Sequence, residues 1–296
     1  MIFILGGSGY IGRHLYRHLE DRGYPVKGSC CTSPKAGLIP FDLETDRFPP
    51  AGLTLSGMSH VILAAASTTK IDEAGRHYAR HFAVDAVNTG RLLETVKAAG
   101  IIPVFISTDF VFNGKKGHYS ETDPVDPVNG YGRIKAATEK QIQENFRQYL
   151  IIRVGKVFGL TPGDGTLVTA LVEGLRRGQA QNCALDQQFT PVLISDLTAF
   201  IEQAIRTSLS GTYHLASIRP TNRHRIALAA AEVFGFDRRL IKACRINELG
   251  LPEKRPLKID LDVSRALALT GKSLSGIQSI LTELKTGTRH GTPQPD

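Results

Sequence analysis

The sequence predicts an α/β fold: a doubly wound parallel sheet of the Rossmann type with a smaller C-terminal lobe. Three observations predict it. The apolar run Ile2 to Leu5 passes without a gap into Gly6-Gly7-Ser8-Gly9-Tyr10-Ile11-Gly12 and then into the helical spacing Ile11, Leu15, Leu19. Further short apolar runs, His60 to Ala66, Pro103 to Ile106 and Tyr149 to Val154, alternate with longer amphipathic stretches, the order of a sheet wound by crossover helices. Beyond Gly159 that alternation loosens around Pro162-Gly163-Asp164-Gly165. A chain of 296 residues is long enough for one large domain plus a lobe. The division predicted is residues 1–160 for the sheet domain, 161–285 mainly for a substrate-binding lobe partly interleaved with it, and 286–296 for a polar, disordered tail.

The strand, glycine turn and helix at the N-terminus stand in the order a dinucleotide site requires. Gly6, Gly9 and Gly12 permit a tight turn, a close approach to a pyrophosphate and packing of the helix on the sheet. Ser8, Tyr10 and Ile11 then bring the first amides of the helix to the phosphates. The second strand, Val26 to Cys31, is expected to end beside the adenosine ribose. No carboxylate follows it in Cys31-Thr32-Ser33-Pro34-Lys35. Arg13, Thr32 and Lys35 suit a 2′-phosphate instead, so NADP is favoured and NAD stays open. Asp42 and Leu43 are expected at the adenine edge. Ala64, Ala65 and Ala66 fit either a strand end lying against the cofactor or plain close packing.

A helix over residues 75–99 is expected to bury Phe82, Val84, Val87, Leu92, Leu93 and Val96, with Gly100 ending it. Next, Pro103 to Ile106 reads as a buried strand that places Thr108 and Asp109 at its carboxyl end, where open sheets bind ligands. The long loop from Phe112 to Gly130 is expected to be functional. Tyr131 and Lys135 follow on a helix reaching about Phe146. Four residues at about 1.5 Å rise put them on one face, where an ammonium can stabilise the phenolate. Tyr131, Lys135 and the Thr108 hydroxyl therefore form a candidate set for proton transfer to a carbonyl. The next strand is Tyr149 to Val154. Helices are expected at Leu167 to Arg177, Asp196 to Thr207, Asn222 to Phe234 and Leu274 to Leu284, with strands near Cys183 to Leu185 and Gly211 to Leu215.

Composition narrows the partners. The formal net charge is +8, but the basic residues are scattered and there is no Trp for a base-stacking platform, which argues against nucleic acid. The four cysteines have no metal-ligand spacing, so no metal is expected, and a reducing, cytoplasmic setting is the simplest reading. No run reaches the roughly 20 apolar residues of a membrane span, and the N-terminus lacks the charged region of a signal peptide.

The ordered set of motifs resembles the extended short-chain dehydrogenase/reductases, and within them the dTDP-4-dehydrorhamnose reductase-like group. The matching segments are Gly6 to Gly12, Ala64 to Ala66, Ser107 to Gly114, Tyr119 to Pro124, Tyr131 with Lys135, Asp186-Gln187 with Pro191, and Arg255-Pro256. The resemblance implies a ketoreductase of deoxysugar biosynthesis. Tyr131 would be the proton donor and, with Lys135, would contact the cofactor; Lys135 would hold the nicotinamide ribose and tune Tyr131, and Thr108 would be the hydroxyl of the set. Asp109, Lys156 and Arg255 would face the substrate, a nucleotide-diphosphate sugar carrying a 4-keto group. The oligomeric state stays open, a homodimer included. The chain departs from the family pattern at Asp85 (usually Asn), Asn88 (usually Gly), Lys156 (usually Trp) and Thr166 (usually Asn).

Two other readings compete. The glycine turn with Arg13, and the missing acid near Thr32, also resemble the regulatory subunit of methionine adenosyltransferase, a non-catalytic relative that binds NADP. An NAD-dependent sugar nucleotide epimerase or dehydratase fits less well. Phe110 stands where a dehydratase carries Glu after Thr-Asp, and the epimerase motif Ser-Ser-x-x-Val-Tyr-Gly is absent.

Overall fold

The computed structural model describes the chain except residues 33–34, 68–69, 272–273 and 288–296. Most of the predicted tail thus lies outside the described residues. The first elements are β1 (Ile2–Leu5), α1 (Tyr10–Asp21), β2 (Val26–Cys30), β3 (Leu38–Pro40) and β4 (His60–Leu63). The expected helix over 75–99 begins earlier and is broken into α2 (Ile71–Arg76), α3 (Tyr78–Phe82), a π-helical turn at Ala83–Asn88 and α4 (Thr89–Ala98). His77, at φ −118° and ψ 40°, breaks the first join. At the π turn the Asp85 carbonyl accepts a hydrogen bond from Thr138 Oγ1 at 3.1 Å, so a neighbouring helix binds into the widened turn.

Next come β5 (Ile102–Thr108), a 3₁₀ turn at Asp109–Val111, α5 (Gly130–Asn145), β6 (Leu150–Val154), β7 (Lys156–Phe158) and α6 (Leu167–Arg176). The chain continues through β8 (Gln181–Ala184), β9 (Pro191–Leu193), α7 (Ile194–Arg206), β10 (Gly211–Leu215) and α8 (Arg223–Phe234). It ends with β11 (Ile241–Cys244), α9 (Ser264–Thr270) and α10 (Ile277–Thr286).

Seven strands form the central sheet in the order β10-β6-β5-β4-β1-β2-β3, and every pairing in it is parallel. Alternation along β1 supplies both faces. Ile2 and Ile4 pack with Leu15 and Leu19 of α1 and Leu197, Phe200 and Ile201 of α7. Phe3 and Leu5 pack with Leu92, Leu93 and Val96 of α4 and Ile142 of α5. The strand order reverses beside β1, so the glycine turn opens at the topological switch point. A separate core gathers Phe158, Val168, Leu171, Ile226, Ala230, Ile280 and Leu281 from the C-terminal half. From that half, β10 and α7 join the sheet domain instead.

Candidate active site

The glycine turn leaves no room for side chains. Gly6 has φ +86°, and a Cβ there would lie 2.7 Å from the Ala65 backbone. A Cβ on Gly12 would collide with the Gly6 carbonyl. Gly6 therefore cannot carry a side chain where it passes the Ala65 backbone. Gly6 N donates to Ser29 Oγ at 3.0 Å and Ser8 N to the Ser29 carbonyl at 3.3 Å, anchoring the turn on β2. Arg13 N closes the first helical hydrogen bond, to Gly9 O. The amides of Tyr10, Ile11 and Gly12 thus have no carbonyl behind them in the helix and are available to an anion. The cradle fits a dinucleotide pyrophosphate.

Beside the turn, the Tyr10 phenol donates to Asp164 Oδ2 at 3.2 Å, and burial together with that carboxylate drives its pKa upward. The Arg13 guanidinium sits 5.1 Å from the centre of the Tyr10 ring. Thr32 and Lys35 are exposed. Asp42 lies at the end of β2. Phe41 N pairs with Cys30 O at 2.8 Å, and the Asp42 carboxylate comes against the Cys31 thiol, whose pKa rises through burial and then through Asp42. A carboxylate therefore stands at the end of β2 after all, supplied by the chain leaving β3. Leu43 offers its carbonyl to Asn88 Nδ2 at 3.0 Å, and Ala64 and Ala66 are half-buried at the end of β4.

At the end of β5, Thr108 Oγ1 donates to Asp109 Oδ1 at 3.0 Å and accepts from Phe110 N at 3.2 Å. The same hydroxyl contacts the Tyr131 phenol. Tyr131 meets Phe110 edge-on at 6.2 Å and 77°. Asn129 caps α5 by accepting from Gly132 N at 2.9 Å, and Glu253 accepts from Gly130 N at 3.1 Å. Tyr131 and Lys135 are carried on this capped helix.

The expectation about the phenol needs a correction. Burial, then the charge of Asp109, raises the Tyr131 pKa, and only the Thr108 hydrogen bond pulls it down. Lys135 does not act on it here. The ammonium donates to the Ile106 carbonyl at 3.2 Å and lies 4.8 Å from the Phe105 ring centre. Burial lowers the Lys135 pKa, opposed by Asp85 and Glu139. The helix pitch brings the two side chains to one face, but a carbonyl and two carboxylates turn the ammonium toward the sheet. Tyr131 is thus a neutral phenol in the ligand-free protein.

Asp109 is 4 % exposed, and burial lifts its pKa to about 7 against the pull of Thr108 and Lys156. Lys156 is open to the cleft yet walled by protein, and desolvation followed by Arg223 lowers its pKa. Arg255 also lies close enough to Lys156 to depress it, while its own guanidinium binds Asp72 Oδ2 at 2.7 Å and Glu253 O at 2.8 Å. Lys156 thus feels the charges of Arg223, Asp109 and Arg255, and Asp109 in turn acts on Tyr131. Arg223, Asp72 and Asp164 were not singled out in the sequence, since only the tertiary fold brings them here. Among the described residues no group of three or more His, Cys, Asp or Glu could hold a metal ion. No helix among them is long and apolar enough to cross a membrane.

Residues 1–287 match the RmlD substrate binding domain. The chain belongs to that family. Within it, the sequence is 28% identical over 259 residues to the dTDP-4-dehydrorhamnose reductase of Mycolicibacterium smegmatis, covering 86% of this chain and 76% of that protein. It is 27% identical over 284 residues to the methionine adenosyltransferase 2 subunit beta of Danio rerio, covering 92% and 85%. The fold is also that of a dTDP-4-dehydrorhamnose reductase from Bacillus anthracis solved in complex with NADP, with TM-score 0.81, 22% identity and coverage of 97% and 99%. The RmlD-domain fold thus accounts for the seven-stranded sheet, in which β4 separates the strand before the glycine turn from the strand that ends in Thr108.

Proposed function

We propose that the protein is an NADPH-dependent reductase of a keto group on a nucleotide-diphosphate sugar. The observation that carries this is the Tyr131 phenol, kept protonated by burial and Asp109 and set against the Thr108 hydroxyl. The similarity to the Mycolicibacterium reductase and to the NADP-bound structure supports the cofactor and the substrate class. NADPH, when bound, supplies the hydride that reaches the carbonyl carbon. The chain supplies the rest. Tyr131 gives its phenolic proton to the carbonyl oxygen as negative charge develops there, and Thr108 orients the phenol. Lys156, Arg223 and Arg255 attract the diphosphate, and Asp109 contacts the sugar. Residues beyond 160 contribute the substrate side of the cleft.

The similarity to the methionine adenosyltransferase subunit favours a second reading, a cofactor-bound regulatory protein. A panel of 4-keto nucleotide sugars scored for NADPH oxidation separates the two. Turnover on one member establishes the reductase. Tight NADPH binding with no turnover on any member would overturn it in favour of the regulator.

A further inference from the structure

A carboxylate from the chain beyond β7 reaches back to the glycine turn. Asp164 lies in the loop before α6, between Gly163 and Gly165, whose φ values of +78° and +75° belong to the left-handed region. Its Oδ1 accepts from Thr166 N at 2.9 Å and from Thr169 Oγ1 at 2.5 Å, which fixes it to the start of α6. Its Oδ2 accepts from the Tyr10 phenol at 3.2 Å. Tyr10 is the first residue of α1, and its amide belongs to the anion cradle. A Cβ on Gly159 would lie 2.0 Å from both the phenol oxygen and Asp164 Oδ2, so the chain leaving β7 passes over the same contact. We propose that Tyr10 and Asp164 form a catch that holds the 159–166 loop over the pyrophosphate end of the cofactor site, and that NADPH enters and leaves when it opens. This rests on the cofactor site, which the reductase and the regulatory readings share.

The two sides of the contact are built differently. Burial, then Asp164, raises the Tyr10 pKa, so the phenol stays a donor. Its ring is also held without the bond, with the His14 ring centre 5.0 Å and the Arg13 guanidinium 5.1 Å from the ring centre. The loop is packed far less. Thr161, Pro162, Gly163 and Gly165 are exposed, and a Cβ on Gly165 would meet nothing within 4 Å. Glycine hinges around a charge-assisted hydrogen bond give the loop the means to swing once that bond breaks. A catch acts on the barrier common to entry and exit. Breaking it speeds both and leaves their ratio, the affinity, nearly unchanged, whereas losing a direct cofactor contact raises the exit rate alone.

The test is stopped-flow fluorescence of NADPH association and, by chase with excess NADP, of its dissociation. Tyr10→Phe keeps the ring and removes the donor. It should raise both rate constants about tenfold, the scale of one hydrogen bond to a charged group, with Kd within about threefold of wild type. Gly159→Ala changes neither partner but drives a methyl between them, and should do the same. Asp164→Asn keeps an acceptor for Thr166 and Thr169 and turns an amide to the phenol, so losing the charge alone should raise both rates about threefold. Tyr10→Phe combined with Asp164→Asn should match Tyr10→Phe, because one bond is lost once. Dissociation within about twofold of wild type in both Tyr10→Phe and Gly159→Ala would overturn the proposal. So would faster dissociation with unchanged association, which would make the phenol a cofactor contact. Turnover is not read, so the result stands apart from that of the keto-sugar panel.

Discussion

Arg153 on β6 holds Glu139 on α5 in a buried, two-pronged ion pair, with Nε 3.1 Å from both carboxylate oxygens and Nη2 2.7 Å from Oε2. Their side chains are 4% and 2% exposed. The Ser107 hydroxyl also donates to Glu139 Oε1, and Arg153 reaches the Glu121 carbonyl at 3.3 Å while lying 5.1 Å from the Phe112 ring centre. Ser107 precedes Thr108, and Glu139 is one turn past Lys135. The pair is thus the mount that fixes the proposed catalytic helix to the strand carrying Thr108.

Breaking one partner leaves the other charge buried alone. Glu139→Gln should therefore destabilise the fold by about 3 to 5 kcal/mol. The double change Glu139→Leu with Arg153→Met should recover most of that loss, because desolvated charge and partner leave together. Urea unfolding of the three variants checks this. A Glu139→Gln loss below about 1 kcal/mol would mean that the pair is not the mount described.

Two buried groups make stability depend on pH in opposite senses. Asp109 holds its proton in the fold up to about 7, whereas the unfolded chain releases it near 3.9. The native state binds the extra proton between these values, so this contribution is lost as pH rises from about 4 to about 7. His214 is buried neutral, its pKa pushed down to about 3 by burial and then by Arg153, while the unfolded ring takes a proton below about 6.5. That contribution is lost as pH falls from about 6.5 to about 3. Asp109→Asn should gain stability relative to wild type as pH is raised from 4 to 7, and His214→Gln should gain relative to wild type as pH is lowered from 6.5. Thermal unfolding across that range reads both slopes, and a flat difference for either variant contradicts its assignment.

What the sequence made legible follows from which signals are local. The run from Ile2 through Gly12 into Leu19 was readable because the strand, turn and helix requirements are all met within one continuous segment. The Tyr131 and Lys135 pair was readable because helix pitch fixes its spacing. By contrast, β3, β7 and β9 have three residues each, too few for a period-two pattern to register. The π turn adds a residue to its helical turn and leaves Val87, expected on the apolar face, 41 % exposed, which a 3.6-residue period does not anticipate. Asp42 reaches Cys31 only through the β2–β3 pairing, and Arg223 reaches Lys156 only through the docking of α8. The same tertiary placement turned Lys135 from the phenol to the Ile106 carbonyl.

In the proposed cofactor site, Arg13 would attract a 2′-phosphate and Asp42 would repel it. NADPH should bind more tightly than NADH at low and moderate salt. Arg13→Ala should weaken NADPH by about 1 to 2 kcal/mol, the scale of one charge-assisted contact, and leave NADH nearly unchanged. Asp42→Asn should widen the preference by removing a carboxylate that repels the phosphate. Dissociation constants for both cofactors decide it. NADH binding as tightly as NADPH in the wild type would contradict the assignment of Arg13.

The last prediction concerns the proton. Tyr131 is the one phenol beside Thr108, and the charge on Asp109 together with burial keeps it protonated. Tyr131→Phe should lower turnover about 10²- to 10⁴-fold, the usual scale for a general acid, with NADPH affinity little changed. Lys135→Met should harm both binding and turnover, because its ammonium is the charge that Asp85 and Glu139 are arranged around. Thr108→Val should cost less than Tyr131→Phe, since it removes a group that orients the phenol and leaves the proton in place. It should also free Asp109 from its hydroxyl partner and shift any inflection of the pH–rate profile near 7 upward, because that hydrogen bond lowers the Asp109 pKa. Steady-state kinetics on a turned-over keto sugar measures all four effects. Near wild-type turnover in Tyr131→Phe would remove Tyr131 as the donor and the proposed mechanism with it.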